Sequence, residues 1–232
     1  KKNLRETLGT IHDVKLGIPD KVYTVLSAPW YTSQTRTIVY NKKPAFVVSE
    51  KLVNDLVKKE IDFFKETVAT EIEGEAYIIE NTIQSLTLNG YSLTDPIGKK
   101  AEELKISLFL SLSPRQVIDV IHEEVEQIYR LKKIQFSSGG ACCFVSLRDV
   151  FPNEESFIVV SVGSEVTDVV LVRNHTLATA FTFPKGSHSV YRTISESLSI
   201  DLQDAKTRAL LCENGHASAE MIRTVSPLLL KA

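Results

Sequence analysis

Short apolar runs separated by tight polar turns mark the second half of the chain. Three of these runs have the length and composition of strands: 157–162, 166–172 and 176–183. The turns between them are Gly163-Ser164-Glu165 and Arg173-Asn174-His175, and Pro184-Lys185-Gly186 leads into a helical segment. Apolar runs bounded by turn residues favour a meander, so this stretch predicts three strands followed by a helix.

Periodic apolar positions predict two longer helices in the first half. Ser49 is expected to cap a helix that runs to about Val68, and Ser113 is expected to cap a second helix whose first residue is Pro114. The apolar face of the first helix is Val53, Val57, Ile61, Phe64 and Val68. The stripe expected to be buried on the second helix is Val117, Ile121, Val125 and Ile128. Its acidic side chains are expected to form a solvated face, with a partner surface as the alternative: Asp119, Glu123, Glu124 and Glu126.

The remaining pattern predicts a mixed α/β chain. Segments 76–88 and 102–112 alternate like two antiparallel strands, hinged on Asn89-Gly90 and on 95–98. Further strands are expected at 21–28, 36–40 and 134–137, and shorter helices at 3–11, 139–150 and 201–212. Asp201 is expected to cap the last of these helices. No fold is predicted after residue 212, and no internal repeat is recognisable.

Composition places the chain among ordinary folded proteins. The 232 residues are 43% hydrophobic and 24% charged, which is enough to bury a sizeable core in one or two domains. A net charge of −2 gives no electrostatic case for binding nucleic acid or an anionic membrane. Neither a signal peptide nor an apolar run of membrane-spanning length is recognisable in the sequence.

The residue types that commonly bind metals are scattered. Cys142, Cys143 and Cys212 fit neither a disulfide framework nor a zinc motif, and the five histidines form no paired motif. Cys142 and Cys143 fall in an apolar helical run, where buried, reduced thiols are expected. The sequence therefore predicts no metal site, and it offers no candidate catalytic residue.

Three short motifs occur in an order that is known from one protein family. Residues 161–168 read Ser-Val-Gly-Ser-Glu-Val-Thr-Asp, residues 184–190 read Pro-Lys-Gly-Ser-His-Ser-Val, and an upstream turn combines Asn89-Gly90-Tyr91 with 95–99. They resemble, respectively, the second phosphate loop, the Pro-x-Gly-Gly helix start and the turn of the small 1C subdomain in the FtsA and PilM branch of the actin-like ATPase superfamily. The resemblance covers about residues 22–210.

The resemblance implies an α/β (α+β) fold of the actin-like, ribonuclease H-like type, partial in this chain and with an inserted FtsA-type 1C subdomain. The implied ranges are subdomain 1A at 1–35, 1C at 36–133, a return to 1A at 134–153 and a 2A-like meander with helices at 154–232. It also implies that ATP and Mg²⁺ bind in the full-length protein. The implied nucleotide contacts are Gly163, Ser164, Thr167, Asp168 and Gly186. From the residues alone, a hairpin turn and a helix-start glycine are the alternative.

Departures from the family motif argue against strong nucleotide binding. Ser161 stands where the family has an aspartate that helps to organise Mg²⁺ and the attacking water, so hydrolysis is not expected. Ser164 and Glu165 replace two loop glycines, and a Glu165 charge ~5 Å from a phosphate would cost about 3 kcal/mol at an effective dielectric of about 20. Counterparts of the first phosphate loop and of the adenine-contact region are not recognisable, so these residues are expected to lack a complete nucleotide site.

The resemblance, with its departures, implies an interaction protein that is non-enzymatic or weakly enzymatic, an ATPase at most. The first expectation is an FtsA-like cytoplasmic adaptor that acts in bacterial cell division at the inner membrane face, through self-association and FtsZ-like partners. The alternatives are a PilM-like platform for type IV pilus assembly, which binds a short peptide of a membrane partner beside 1C, and a polymerising actin-like ATPase. Any membrane contact is expected to be indirect or made by sequence outside these residues. Self-association is expected through the turn at 89–100, with Tyr91, Leu93 and Ile97 carrying the affinity.

Overall fold

The computed structural model describes residues 1–14, 17–68, 74–93 and 95–230. The helices are α1 (Lys2–Asp13), α2 (Glu50–Val68), α3 (Arg115–Tyr129), α4 (Gly139–Val150), α5 (Ser187–Leu198), α6 (Leu202–Glu213) and α7 (Ala219–Leu229). The strands are β1 (Val22–Leu26), β2 (Thr32–Val47), β3 (Ala76–Leu88), β4 (Tyr91–Ser92), β5 (Lys100–Pro114), β6 (Ile134–Ser138), β7 (Phe157–Val162), β8 (Thr167–Arg173) and β9 (Thr176–Phe183). Two compact units result, Lys1–Ile158 with Val170–Ala180, and Val159–Val169 with Phe181–Ala232.

A four-stranded sheet with strand order β2-β5-β3-β4 carries the main core of the first unit. The central strand β5 is antiparallel to β2 on one side and to β3 on the other. Alternate residues of β5 point to one face and are fully buried: Leu104, Ile106, Leu108, Leu110 and Leu112. Helix α2 covers this face, because its buried residues Val53, Phe64 and Val68 belong to the same cluster. The predicted apolar face of that helix is confirmed, as is its cap, since Leu52 N donates to Ser49 Oγ at 3.2 Å.

The remaining strands form two smaller sheets. Strands β1 and β6 pair in parallel, and β7, β8 and β9 form a three-stranded sheet in that order. The predicted meander, its following helix and the helix at 139–150 are therefore confirmed almost residue for residue. The strand predicted at 36–40 is the middle of the much longer β2. The subdomain ranges 1–35, 36–133, 134–153 and 154–232 stay predictions.

The start of α3 differs from the prediction that Ser113 caps it. Pro114 occupies the cap position, and the Ser113 hydroxyl donates to the Pro114 carbonyl instead of accepting from a helix amide. Ser113 is still part of β5, where it pairs with Tyr77 and is fully buried. The first amide of the helix, Arg115 N, donates to the Glu75 carbonyl at 2.8 Å. The strand therefore runs directly into the helix without a side-chain cap.

The buried face of α3 also differs from the predicted stripe. Its buried apolar residues are Ile118, Val125 and Tyr129, and Glu124, which was predicted to be solvated, is fully buried. Arg5 of α1 donates to Glu124 Oε2 at 2.6 Å through Nε and to Glu124 Oε1 at 2.9 Å through Nη2. These hydrogen bonds lower the pKa of the Glu124 carboxyl and keep it charged. Because α3 packs against α1 as well as against the sheet, the helix is rotated from the position that its apolar pattern alone suggests.

The second unit contains a small three-helix core. Ile194 of α5, Ala205 and Ala209 of α6 and Val225 of α7 are its buried residues. The predicted Asp201 cap of α6 is confirmed, because Asp204 N donates to the Asp201 carboxylate at 2.8 Å. Helix α7 lies in the segment for which the sequence predicted no fold. No helix in the described part of the chain is both long and apolar enough to cross a bilayer.

Candidate functional site

The predicted nucleotide-contact residues meet where the β7–β8 loop touches the start of α5. Gly163 N donates to the Val166 carbonyl at 2.8 Å and closes the loop. Ser187 N then donates to the Gly163 carbonyl at 2.9 Å, and His188 N donates to the Ser164 carbonyl at 2.8 Å. The first amides of a helix have no partner within the helix itself, so a cap, water or a ligand normally satisfies them. Here two carbonyls of the loop do so.

Gly186 permits this close approach of the loop to the helix. A Cβ atom at residue 186 would lie 2.5 Å from the Gly163 carbonyl oxygen and 2.6 Å from the carbonyl carbon and oxygen of Ser164. All three atoms belong to the backbone, so no side-chain rotation can relieve the overlap. The backbone of Gly186 is extended, with φ −142°, so the requirement for glycine here comes from space and not from conformation.

The other two predicted contact residues are also bonded within the second unit. Thr167 Oγ1 donates to the Lys185 carbonyl at 2.8 Å. Asp168 accepts a hydrogen bond from Thr182 Oγ1 on the neighbouring strand. The structure thus gathers Gly163, Ser164, Thr167 and Gly186 around one loop and gives each an internal contact. Their contact with a nucleotide stays a prediction.

Glu165, which the sequence placed near a phosphate, folds back onto α5. Its carboxylate accepts from Arg192 Nη2 at 2.8 Å and from Arg192 Nη1 at 3.1 Å, and it lies 3.0 Å from His188 Nδ1. The hydrogen bonds from Arg192 and then from His188 lower the pKa of Glu165 from 4.5 to about 2. The folded state therefore gains stability from this carboxylate above pH 4.5 and loses that gain as the pH falls toward 2. Arg192 thus neutralises the charge that the sequence placed beside a phosphate.

Metal and thiol chemistry receive little support from the side chains. Within the described residues, no group of three or more His, Cys, Asp or Glu side chains is placed to hold a metal ion. Cys142, Cys143 and Cys212 are half-buried free thiols, so Cys142 and Cys143 are more exposed than predicted. Burial raises the pKa of Cys142, which disfavours the nucleophilic thiolate.

A second candidate site, which the sequence interpretation missed, is a groove in the first unit with a volume of 470 Å³. It is lined by Leu4 of α1, Leu26 of β1, Trp30, Val117, Val120 and Ile121, with Lys1 and Gln116 also contributing. We call it the α1–α3 groove. Trp30 is the only tryptophan of the chain, and its side chain is 54% exposed. The rotation of α3 leaves three apolar side chains, Val117, Val120 and Ile121, to line the groove.

The sequence did contain a signal for the α1–α3 groove. Helix α3 carries seven large apolar residues: Val117, Ile118, Val120, Ile121, Val125, Ile128 and Tyr129. A surface helix needs a stripe about 100° wide to pack on a core, and this set is wider. An excess of apolar positions on one helix indicates a second apolar surface.

The α1–α3 groove borders an acidic cavity of 490 Å³. The two spaces share Lys1, Gln116 and Val120. Three carboxylates line the cavity, namely Glu75, Asp119 and Glu123. Arg115 pairs with Glu75 at 3.4 Å and Lys1 with Glu123 at 2.8 Å, whereas Asp119 forms no ion pair with any described residue. An apolar site with an acidic end suits a ligand that is apolar in one part and basic in the next.

Comparison with known proteins places the fold. The sequence matches no known family model and no curated protein sequence. A chain of the solved PilM–PilN type IV pilus biogenesis complex is similar over 99% of the present chain and 60% of its own length, with a TM-score of 0.61 and 14% identity. The present chain has an actin-like fold. A Bacteroides thetaiotaomicron protein with an actin-like ATPase fold and unknown function is more distant, with a TM-score of 0.34, 10% identity and coverage of 84% and 63%.

This similarity confirms the fold class that the three motifs predicted. At 14% identity the similarity concerns the fold and not the activity. The chain spans 60% of the length of the pilus chain that it matches.

Proposed function

We propose that this chain is a PilM-like scaffold of type IV pilus assembly, which binds a short cytoplasmic peptide of a membrane-anchored partner. The observation that carries the proposal is the α1–α3 groove, an open apolar site beside an acidic cavity in a chain whose fold is that of a pilus biogenesis protein. The actin-like fold is common to pilus, cell-division and ATPase proteins. The structural similarity to the PilM–PilN complex favours the pilus role over the FtsA-like role.

The chemistry of the groove defines the peptide that it would bind. The exposed Trp30 and the half-buried Val120 offer an apolar surface for two or three apolar residues of a ligand. The acidic cavity beside it, where Asp119 forms no ion pair with a described residue, favours a flanking lysine or arginine. Cytoplasmic segments next to membrane helices are rich in these basic residues. A membrane-anchored, PilN-like partner with such a segment would hold the scaffold at the cytoplasmic face of the inner membrane.

Replacing Val120 by aspartate is expected to weaken peptide binding at least about tenfold, which corresponds to about 1.4 kcal/mol. The substitution places a charge in the apolar lining of the groove, and an apolar side chain of the peptide would have to desolvate that charge on binding. Binding is measured by the emission of Trp30, the single tryptophan, which is expected to shift to the blue when a peptide covers it. The probes are synthetic peptides that tile the cytoplasmic segment of the PilN-like protein from the same cell.

Val150→Asp is the matched control, because Val150 is 65% exposed at the end of α4 and does not line the groove. It is expected to bind peptide like the parent protein. If no peptide changes the Trp30 emission, or if Val120→Asp and Val150→Asp bind equally well, the α1–α3 groove is not the binding site and the proposal fails.

Self-association is a second proposal, which rests on the exposed edge of the four-stranded sheet. Tyr91 of the edge strand β4 is 75% exposed and Ile97 is 38% exposed. Leu93 was predicted to contribute to this contact, but it packs against the core of the sheet and α2 and is not free to bind a neighbour. Thr94, in the same turn, lies outside the described residues. A surface made of Tyr91 and Ile97 would carry a contact between copies of this chain.

The double variant Tyr91→Asp with Ile97→Asp is expected to abolish self-association without unfolding the protein. Two charges would have to be desolvated in the contact, whereas in the monomer they stay in water. Sedimentation velocity at several concentrations measures assembly, and circular dichroism checks the fold. Tyr23→Asp, at another exposed tyrosine in β1, is the control and is expected to assemble like the parent. A folded double variant that associates as tightly as the parent would exclude this surface.

A further inference from the structure

An actin-like fold implies a nucleotide, and the β7–β8 loop with the start of α5 is where the motifs place its phosphates. The test of fit is whether these segments offer free hydrogen-bond donors and uncompensated positive charge, since both are needed to hold a phosphate. At the start of α5 the residues of this chain fail on both counts.

The donors at the start of α5 are already used. The amides of Ser187 and His188 donate to loop carbonyls, and Ser189 N donates to the Gly186 carbonyl at 3.0 Å. In the loop itself, Gly163 N donates to the Val166 carbonyl. A phosphate at the helix start would have to break these hydrogen bonds before it could make its own.

The positive charge beside the loop is also compensated. Arg192 and His188 are the basic side chains of α5 that face the loop, and both contact the carboxylate of Glu165. Glu196, one turn further along α5, adds more negative charge near Arg192. An incoming phosphate would meet a cation that already has a bidentate anionic partner, which is the strongest geometry for arginine.

We propose that the β7–β8 loop is an internal clamp, in which the Glu165 carboxylate takes the place of a bound phosphate and holds the loop on α5 through Arg192 and His188. The position also suits a carboxylate because the start of a helix favours negative charge. The loop and the helix start are therefore fixed without a nucleotide. This inference concerns the second unit alone and does not depend on the proposed peptide binding in the first.

The test uses the full-length protein, with ATP plus Mg²⁺ and inorganic pyrophosphate as probes. The parent protein is expected to show no rise in melting temperature with either probe and a Kd weaker than about 1 mM by calorimetry. A rise of several degrees with ATP would overturn the proposal. This arm needs no variant, so it stands even if a substituted protein fails to fold.

The clamp itself is tested with Glu165→Gln. The uncharged side chain loses the bidentate ion pair, so hydrogen exchange at the Ser187 and His188 amides is expected to become at least about tenfold faster. Glu213→Gln is the control, because Glu213 is an exposed residue of the same unit with no ion pair among the described residues. Unchanged exchange in Glu165→Gln would show that the carboxylate does not hold the loop. Peptide-induced emission of Trp30 is expected to stay the same in both variants, which separates this test from that of the proposed function.

Discussion

Gly186→Ala is expected to destabilise the second unit by about 3 kcal/mol, at the upper end of what overpacking usually costs. The new methyl group would overlap the backbone of Gly163 and Ser164 at 2.5–2.6 Å, so the loop must move away from α5. That movement breaks the hydrogen bonds from the Ser187 and His188 amides to the loop carbonyls and leaves donors of a helix start without partners. Steric overlap and lost hydrogen bonds act in the same direction.

The measurement is denaturant unfolding followed by a probe of the second unit, such as hydrogen exchange in α5. Gly9→Ala is the matched control, because Gly9 lies inside α1 and has no atom within 4 Å of an added Cβ. Alanine is the better helix former, so this control is expected to stabilise α1 by about 0.5–1 kcal/mol. A Gly186→Ala protein that loses less than about 1 kcal/mol would show that the loop is not packed on the helix as described.

Glu80→Ala is expected to destabilise the first unit by about 2–4 kcal/mol. The Glu80 carboxylate accepts from Ser111 Oγ at 2.6 Å, from Ser138 Oγ at 2.5 Å and from Ser138 N at 3.3 Å. Both serines are fully buried, so alanine at position 80 leaves two hydroxyls without an acceptor in the protein interior. Ser138 also caps α4 through a hydrogen bond from Ala141 N, so one carboxylate connects β3, β5 and the start of that helix.

Thermal and denaturant unfolding of three variants separates this effect from a general loss of charge. Glu80→Gln keeps one acceptor oxygen and is expected to cost roughly half as much as Glu80→Ala. Glu66→Ala removes an exposed carboxylate of α2 that has no ion pair among the described residues, and it is expected to stay within about 0.5 kcal/mol of the parent. Equal stability of Glu80→Ala and Glu66→Ala would contradict the role given to Glu80.

Local chemistry was enough to predict most of the elements. The meander at 157–183 and the helix at 139–150 follow from apolar runs, turn residues and helical spacing, each of which acts within a few residues. The Ser49 and Asp201 caps were predicted for the same reason, because a cap bonds to an amide only three residues away. Family motifs in the correct order added the actin-like fold, which periodicity alone does not distinguish from other α/β folds.

The same reasoning could not predict which residues line the α1–α3 groove. Which face of α3 is buried depends on the second helix against which it packs, and Arg5, 119 residues before Glu124, is what makes a buried glutamate possible there. The rotation that follows leaves Val117, Val120 and Ile121 in the groove. The predicted Ser113 cap is absent for a similar reason. Ser113 is paired and buried in β5, so its side chain cannot turn toward the start of α3.

The sequence alone determined most of the elements, the fold class and the candidate glycine at residue 186, which lets two backbone segments meet. Only the tertiary structure decided which groups the contact between the β7–β8 loop and the start of α5 brings together. The motif placed Glu165 as a charge facing a phosphate, whereas in the folded chain it bonds to Arg192, 27 residues later, and the amides of α5 bond to the loop. Short-range rules fix which residues form a loop, but the direction of a charged side chain is set by the nearest opposite charge, and folding brings that charge from a distant part of the chain.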